Sequence, residues 1–408
     1  MMDENNRNFL LALVLSVIVL FAWQALFPMP DRTHQEQAQQ QQQPPATQPN
    51  TVAPQPGTAT APATPVPGAA PSPAQQSAPS ARRSLKEAIE ATPHIAIDTP
   101  SLSGSISLEG ARIDNLVLDK FKETVQPASD YVRLLSPPTG PSPYYVEHGW
   151  TVLANETAKT PNPQTIWTAE SQGPLTATNP VKLVYDNGEG LIFRRTIAVD
   201  PEYMFTITQE VENKSQRSVT LYPYAMILRQ GEPQTAGIYI LHEGLIGAMG
   251  DEGLQEIKYK AALDSKLTTF KATSGWLGFT DKYWATALIP DQSAHYEARF
   301  EGGRDVSGEV FRTSYFLDQV TVAPGNKKTI AAKLFAGAKQ VEVLDRYEDT
   351  LKIAKFEHLI DWGWFHFITK PLFYALDFFY RQLGNFGIAI LIVTVLVKLA
   401  FFPLANRF

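Results

Sequence analysis

VKLVYDNGEGLIFRRTIAV, residues 181–199, decides the fold class. Val181-Lys182-Leu183-Val184-Tyr185 changes sides from residue to residue, as a half-buried strand does. Asp186-Asn187-Gly188 then stands between two apolar runs. Asn and Gly accept the left-handed backbone a tight turn requires, so the stretch predicts a hairpin. The same period of two recurs outward in Ser105-Ile106-Ser107-Leu108, Asn115-Leu116-Val117-Leu118, Phe205-Thr206-Ile207-Thr208 and Tyr296-Glu297-Ala298-Arg299-Phe300, and Ala323-Pro324-Gly325-Asn326 reads as another turn. About fifteen such strands over residues 85–338, with no interleaved helical period, predict a mainly β protein: a large antiparallel two-sheet sandwich rather than a parallel α/β sheet.

Beyond the sandwich the period changes. Val341, Leu344, Tyr347, Leu351 and Ala354 recur every three or four residues among Glu342, Asp345, Arg346 and Glu348, predicting an amphipathic connecting helix over 339–360. Residues 361–385 are crowded with rings: Trp362, Trp364, Phe365, Phe367, Phe373, Tyr374, Phe378 and Phe379. Lys370, Asp377 and Arg381 make this segment too charged to span a bilayer comfortably. Rings with polar handles favour the headgroup level, which predicts a helix lying in the outer interface; the plainer reading is a buried helix of the sandwich. Residues 386–404, FGIAILIVTVLVKLAFFPL, are long enough to span, and the basic residues Lys398 and Arg407 gather at their C-terminal side.

At the other end, residues 9–27 read FLLALVLSVIVLFAWQALF, about nineteen uncharged residues or roughly 28 Å of helix. A cleaved signal peptide would have a shorter apolar core and a small-x-small site, so 1–30 is read as an uncleaved anchor. Residues 31–84 are Gln, Pro, Ala, Thr and Ser with almost no aliphatic side chain. Such a segment cannot offset its ordering entropy and is expected to be a disordered tether reaching roughly 40 Å. Two spans, 1–30 and 386–408, with both termini cytoplasmic put everything between them outside.

The 41 acidic and 35 basic residues leave a net charge of −6, which offers no general field for nucleic acid. No cysteine is present, which removes thiolate catalysis, disulfides and cysteine-ligated metals. The seven histidines fall in no HExxH pattern, and no GxSxG elbow, Walker A loop or GxGxxG motif occurs. His242 with Glu243, or His148 beside Trp150, could serve as an acid/base pair or sugar platform, but scattered residues of these types in a large sandwich are ordinarily structural. No catalytic residue, metal or cofactor is expected. Lys398 stands apart, because a cation within a span costs about 2.5–3.5 kcal/mol on insertion scales. It either snorkels along its own stem to the cytoplasmic headgroups or faces a polar cavity.

The order of parts, and W-G-W-F-x-F-I-x-K-P-L-F from Trp362 through G-N-F-G-I-A-I-L-I-V-T-V-L-V-K to F-P-L, resembles the YidC family of bacterial membrane protein insertases. The resemblance covers essentially the whole chain. It implies a periplasmic β-supersandwich similar to sugar-mutarotase folds, an aromatic interface helix, and a second span whose basic residue faces a water-filled groove. Lys398 stands where that residue is commonly arginine; lysine keeps the charge and loses the bidentate fork. The expected activity is insertion, folding and assembly of inner-membrane proteins, alone or with the Sec translocon and its accessory proteins. Nascent membrane proteins and the lipid bilayer are the partners, and no bond is made or broken. Family members continue with a cytoplasmic hairpin and further spans, so the chain is expected to be a truncated piece of an insertase. Two other readings are a membrane-tethered carbohydrate-binding or mutarotase-like β domain, suggested by exposed-looking Trp150, Trp276 and Trp284, and a periplasmic docking scaffold for translocon components.

Overall fold

The computed structural model describes residues 82–153, 156–233, 241–363 and 365–405, with side chains as far as Phe402. The expected anchor (1–30) and the expected tether (31–84) up to residue 81, Trp364 and Arg407 lie outside the described residues.

The stretch at 181–199 folds as a hairpin. Val181–Asp186 pairs antiparallel with Leu191–Val199, Tyr185 opposite Phe193. Along Leu191–Val199 every second side chain is buried. Gly188 sits at φ 72° and donates its N–H to Asp186 Oδ1 at 2.9 Å, while Asn187 Oδ1 accepts from Leu191 N at 3.0 Å, so the turn residues satisfy their own backbone.

Nineteen strands among the described residues form two sheets, with the shortest, such as Thr168–Ala169, too brief to carry a sequence period. The ten-stranded sheet runs His94–Asp98, Leu102–Ser107, Arg112–Lys122, Tyr144–Thr151, Val219–Gln230, Gly308–Leu317, His295–Asp305 and Leu267–Thr273, with Tyr131–Leu135 and Val320–Val322 as side branches. The nine-stranded sheet runs Leu254–Lys258, Gly244–Ala248, Trp276–Thr280, Trp284–Ile289, Lys327–Ala338, Met204–Asn213, Leu191–Val199, Val181–Asp186 and Thr168–Ala169. The ladders are antiparallel. One continuous core contains side chains of both sheets, including Phe193, Phe205, Phe279, Phe300, Phe311 and Phe335.

Two of the tryptophans read as exposed are core residues: Trp150 is 1% and Trp276 is 0% exposed. Tyr144–Thr151 is covered on both faces. Tyr144, Val146 and Trp150 enter the main core, whereas Tyr145 joins a second cluster with Tyr224, Met226, Leu228 and Phe316. Trp276 is covered by chain that returns from far along the sequence: its Nε1 donates to Ala354 O at 3.2 Å and its ring meets Phe356 edge-on at 5.7 Å. Neither ring is available as a sugar platform.

Two arginines, Arg195 buried and Arg229 nearly so, tie one sheet to the other. Arg229, from the ten-stranded sheet, donates through Nη1 to both oxygens of Asp281, at 2.7 and 2.8 Å, just after a strand of the nine-stranded sheet. Arg195, from the nine-stranded sheet, donates to Ala111 O at 2.9 Å and to His148 O in the other, with its guanidinium 4.9 Å from the centre of the Trp167 ring.

Five helices complete the described chain. α1 (Leu85–Glu90) starts at Ser84, whose hydroxyl caps Glu87 N while Glu87 returns a bond to Ser84 N. α2 is Tyr259–Ser265. In α3 (Val341–Leu351), Val341, Val343, Leu344 and Tyr347 are buried. Tyr347 hydroxyl donates to Asp200 Oδ2 at 2.6 Å and accepts from Tyr203 N at 3.2 Å. A 3-10 turn at Phe356–Leu359 follows, and its Phe356 and Leu359 join the main core along with Leu344 and Tyr347. α4 (His366–Leu383) and α5 (Phe386–Ala405) close the described chain and pack on each other.

Candidate functional site

α4 contains no buried residue. Its chemistry is split by side. Lys370, Tyr374, Asp377 and Arg381 are spaced by four, three and four residues, which places them in one stripe. That stripe meets the acidic side of α3 and the 3-10 turn. Lys370 Nζ lies 3.1 Å from Asp345 Oδ1 and also pairs with Glu357; Tyr374 hydroxyl donates to Asp345; Arg381 pairs with Glu342 and, at 2.7 Å, with Asp377. Sequence reading registered these charges only as obstacles to spanning. Their 4-3-4 spacing was the available signal that they serve a docking face.

The aromatic residues do not share one role. Phe365 (62% exposed), Phe367 (64%) and Phe378 (58%) present apolar surface outward with Ile368. Phe365 and Phe367 approach within 6.3 Å of one another, and Phe378 meets half-buried Phe379 at 5.3 Å. Trp362 and Phe373 instead pack edge to face at 5.9 Å beside the sandwich, with Tyr374 against Phe373 at 6.0 Å.

The reversal into α5 uses two adjacent caps. Gly384, at φ 65°, ends α4 by donating to Tyr380 O at 2.7 Å. Asn385 Oδ1 then accepts from Gly387 N at 2.9 Å and Ile388 N at 3.3 Å, starting α5. Ala389 and Val393, one turn apart, are buried. Lys398 lies about half a turn round the axis from Ala389 and is exposed, with Leu391, Val395 and Phe402. It forms no ion pair among the described residues. Thr394, one turn before it, spends its hydroxyl on Ile390 O at 2.7 Å. Among the described residues no helix is long and apolar enough to cross a membrane. The backbone of α5 nevertheless runs for 20 residues with Lys398 as their single charge, and its described side chains stop at Phe402.

The histidines considered for acid/base work are tied into structure. Burial, with the Arg195 charge beside it, pushes His148 down to about 3. Burial also lowers His242, whose Nε2 lies 3.1 Å from Leu245 O and whose backbone N–H donates to Asp361. No group of three or more metal-ligating side chains occurs among the described residues.

A model of the YidC periplasmic domain family matches residues 94–375. The membrane protein insertase YidC of Bradyrhizobium diazoefficiens is 49% identical over 100% of this chain and 67% of its own length. The chain belongs to the YidC family. The YidC insertase of Nitrobacter hamburgensis is 50% identical over 100% of this chain and 66% of its own, so the chain spans about two thirds of the length of the curated relatives it matches. As the family model describes, the sandwich is a YidC periplasmic domain, of a family of inner-membrane proteins. A galactose mutarotase related enzyme from Lactobacillus acidophilus overlaps 60% of this chain and 97% of its own, with a TM-score of 0.41 and 9% identity, a likeness too loose to bear on function.

Proposed function

We propose that this chain serves membrane protein insertion in the bacterial inner membrane. The observation that carries the reading is the match of the whole chain, at 49% identity, to a protein named as an insertase. In this reading residues 1–30 anchor the chain with a cytoplasmic N-terminus, 31–84 form a tether, and the sandwich of 85–338 stands in the periplasm. Residues 339–360 connect it to the interface helix at 361–385, and 386–408 return through the bilayer. The outward apolar face of α4 supports an interfacial position, since an exposed contiguous apolar patch marks a protein or membrane contact.

Lys398 is the residue on which the mechanism turns. A cation on the side of α5 away from Ala389 offers a polar place within the bilayer to a substrate's short hydrophilic segment, which lowers the cost of bringing that segment into lipid. The substrate's apolar span then leaves along the lipid side, and its burial drives the step, so no nucleotide is required. The substrates are nascent membrane proteins, and the Sec translocon with its accessory proteins is the proposed partner. The test is insertion of a single-span substrate by the protein extended to its relatives' full length. Lys398→Arg retains insertion. Lys398→Glu reverses the charge and lowers insertion about tenfold, equivalent to about 1.4 kcal/mol. Wild-type rates in Lys398→Glu and Lys398→Ala would remove the residue from the mechanism.

A further inference from the structure

Where α4 meets the sandwich, a cavity of about 910 Å3 opens between Trp362 and Phe373 on one side and Phe121 and Trp284 on the other. Its wall carries Lys122, Lys282 and Lys339. None of the three forms an ion pair among the described residues. Lys122 Nζ donates to Pro127 O and lies 5.6 Å from the centre of the Tyr131 ring; Lys282 Nζ lies 5.0 Å from that of Tyr283; Lys339 Nζ donates to Thr280 Oγ1 at 2.9 Å. Burial pushes Lys339 down to about 8, with the charges of Asp281, Glu243 and Asp361 only partly offsetting it. Of the acidic groups on the wall, Glu342 and Asp377 are both engaged by Arg381, which leaves exposed Glu123 against three lysines. Trp362 adds a buried indole Nε1 without a hydrogen-bond acceptor. The cavity therefore combines unpaired cations and an unused N–H donor with an aromatic floor.

We infer that this cavity binds one anionic phospholipid, its phosphate held by Lys282, Lys339 and the Trp362 N–H and its glycerol and upper acyl chain laid against Trp284 and Phe373. The chemistry is complementary on both counts: a phosphate oxygen accepts from ammonium and indole donors, and aromatic side chains fit the boundary between headgroup and hydrocarbon. The source of the phosphate is a lipid rather than a free ion because α4, the helix that carries the outward apolar face, itself walls the cavity through Phe373 and Asp377. This part rests on the proposed interfacial position of that helix.

Native mass spectrometry of the full chain, released from detergent with equal amounts of phosphatidylglycerol and phosphatidylcholine, tests it. One phosphatidylglycerol is retained per chain in preference to phosphatidylcholine. Each lysine near the headgroup contributes about fivefold, so Lys282→Gln with Lys339→Gln lowers retention about twenty-five-fold. Lys282→Gln alone, at a less buried position, gives about fivefold even if the double variant unfolds. Lys327→Gln with Lys328→Gln, remote from the cavity, leaves retention unchanged. Equal retention of both lipids, or of phosphatidylglycerol by Lys282→Gln and wild type, overturns the inference; so does displacement of the lipid by millimolar inorganic phosphate, which would mark a free-phosphate site. Because the assay needs no bilayer, the position of α4 is scored separately by quenching of Phe367→Trp with brominated lipids. Loss of that quenching with lipid retention intact would remove the interfacial reading alone.

Discussion

Asp281→Ala destabilises the folded chain by about 3–5 kcal/mol, a large part of a typical domain's stability. Burial alone would push the Arg229 guanidinium down; the Asp281 carboxylate more than offsets this and raises it. Tyr259 hydroxyl, 3.2 Å from Nη1, and the Tyr144 ring, with its centre 4.5 Å from the guanidinium, complete the enclosure. Neither can neutralise a cation. Removing the carboxylate leaves a desolvated charge between the sheets, whereas Arg229→Met with Asp281→Leu removes the charge and fills the space. The double variant therefore loses much less than Asp281→Ala. Denaturant midpoints of the detergent-solubilised chain read both, and equal losses in the two variants would refute the account.

Acid unfolds this protein in part through His148. Its folded value, near 3, lies below the ordinary 6.5, so the folded state refuses a proton that the unfolded chain accepts. The contribution is fully present above pH 6.5 and is lost as pH falls from 6.5 towards 3. At pH 4 the loss is about 3 kcal/mol. Glu147 works in the opposite direction, since burial raises its carboxyl and favours the folded state as acid is added. Comparison with His148→Leu isolates the imidazole: the stability difference between variant and wild type shifts in the variant's favour below pH 6.5. A difference that stays constant from pH 7 to pH 4 would show that His148 accepts its proton while folded.

The strands were legible because a sheet buried on one face writes a period of two. The turn at Asp186-Asn187-Gly188 was legible because its residues bond their own backbone. Burial on both faces is harder to read: nothing local to Tyr144–Thr151 announces that Tyr145 and Trp150 are both covered, each by a different cluster. Contacts between distant segments left still less trace. Arg229 and Asp281 come from different sheets, Trp276 is covered from Ala354 and Phe356, and the cavity lysines Lys122, Lys282 and Lys339 come from three separate parts of the chain. Lys398 stands out from the local sequence alone, as the single charge in the apolar run of α5.

The stripe that fastens α4 to α3 consists of partly exposed ions, and ions respond to the medium. The screening length shrinks from about 8 Å at 0.15 M salt to about 3 Å at 1 M. Ionic strength thus becomes a control on how firmly the sandwich is held at one angle to the helix pair. The absence of cysteine lets two single labels be placed cleanly, at Lys328→Cys on the sandwich and Gln382→Cys on α4. The distance distribution between them broadens on going from 0.15 to 1 M salt, and a distribution unchanged by salt would mean that apolar packing alone sets the angle.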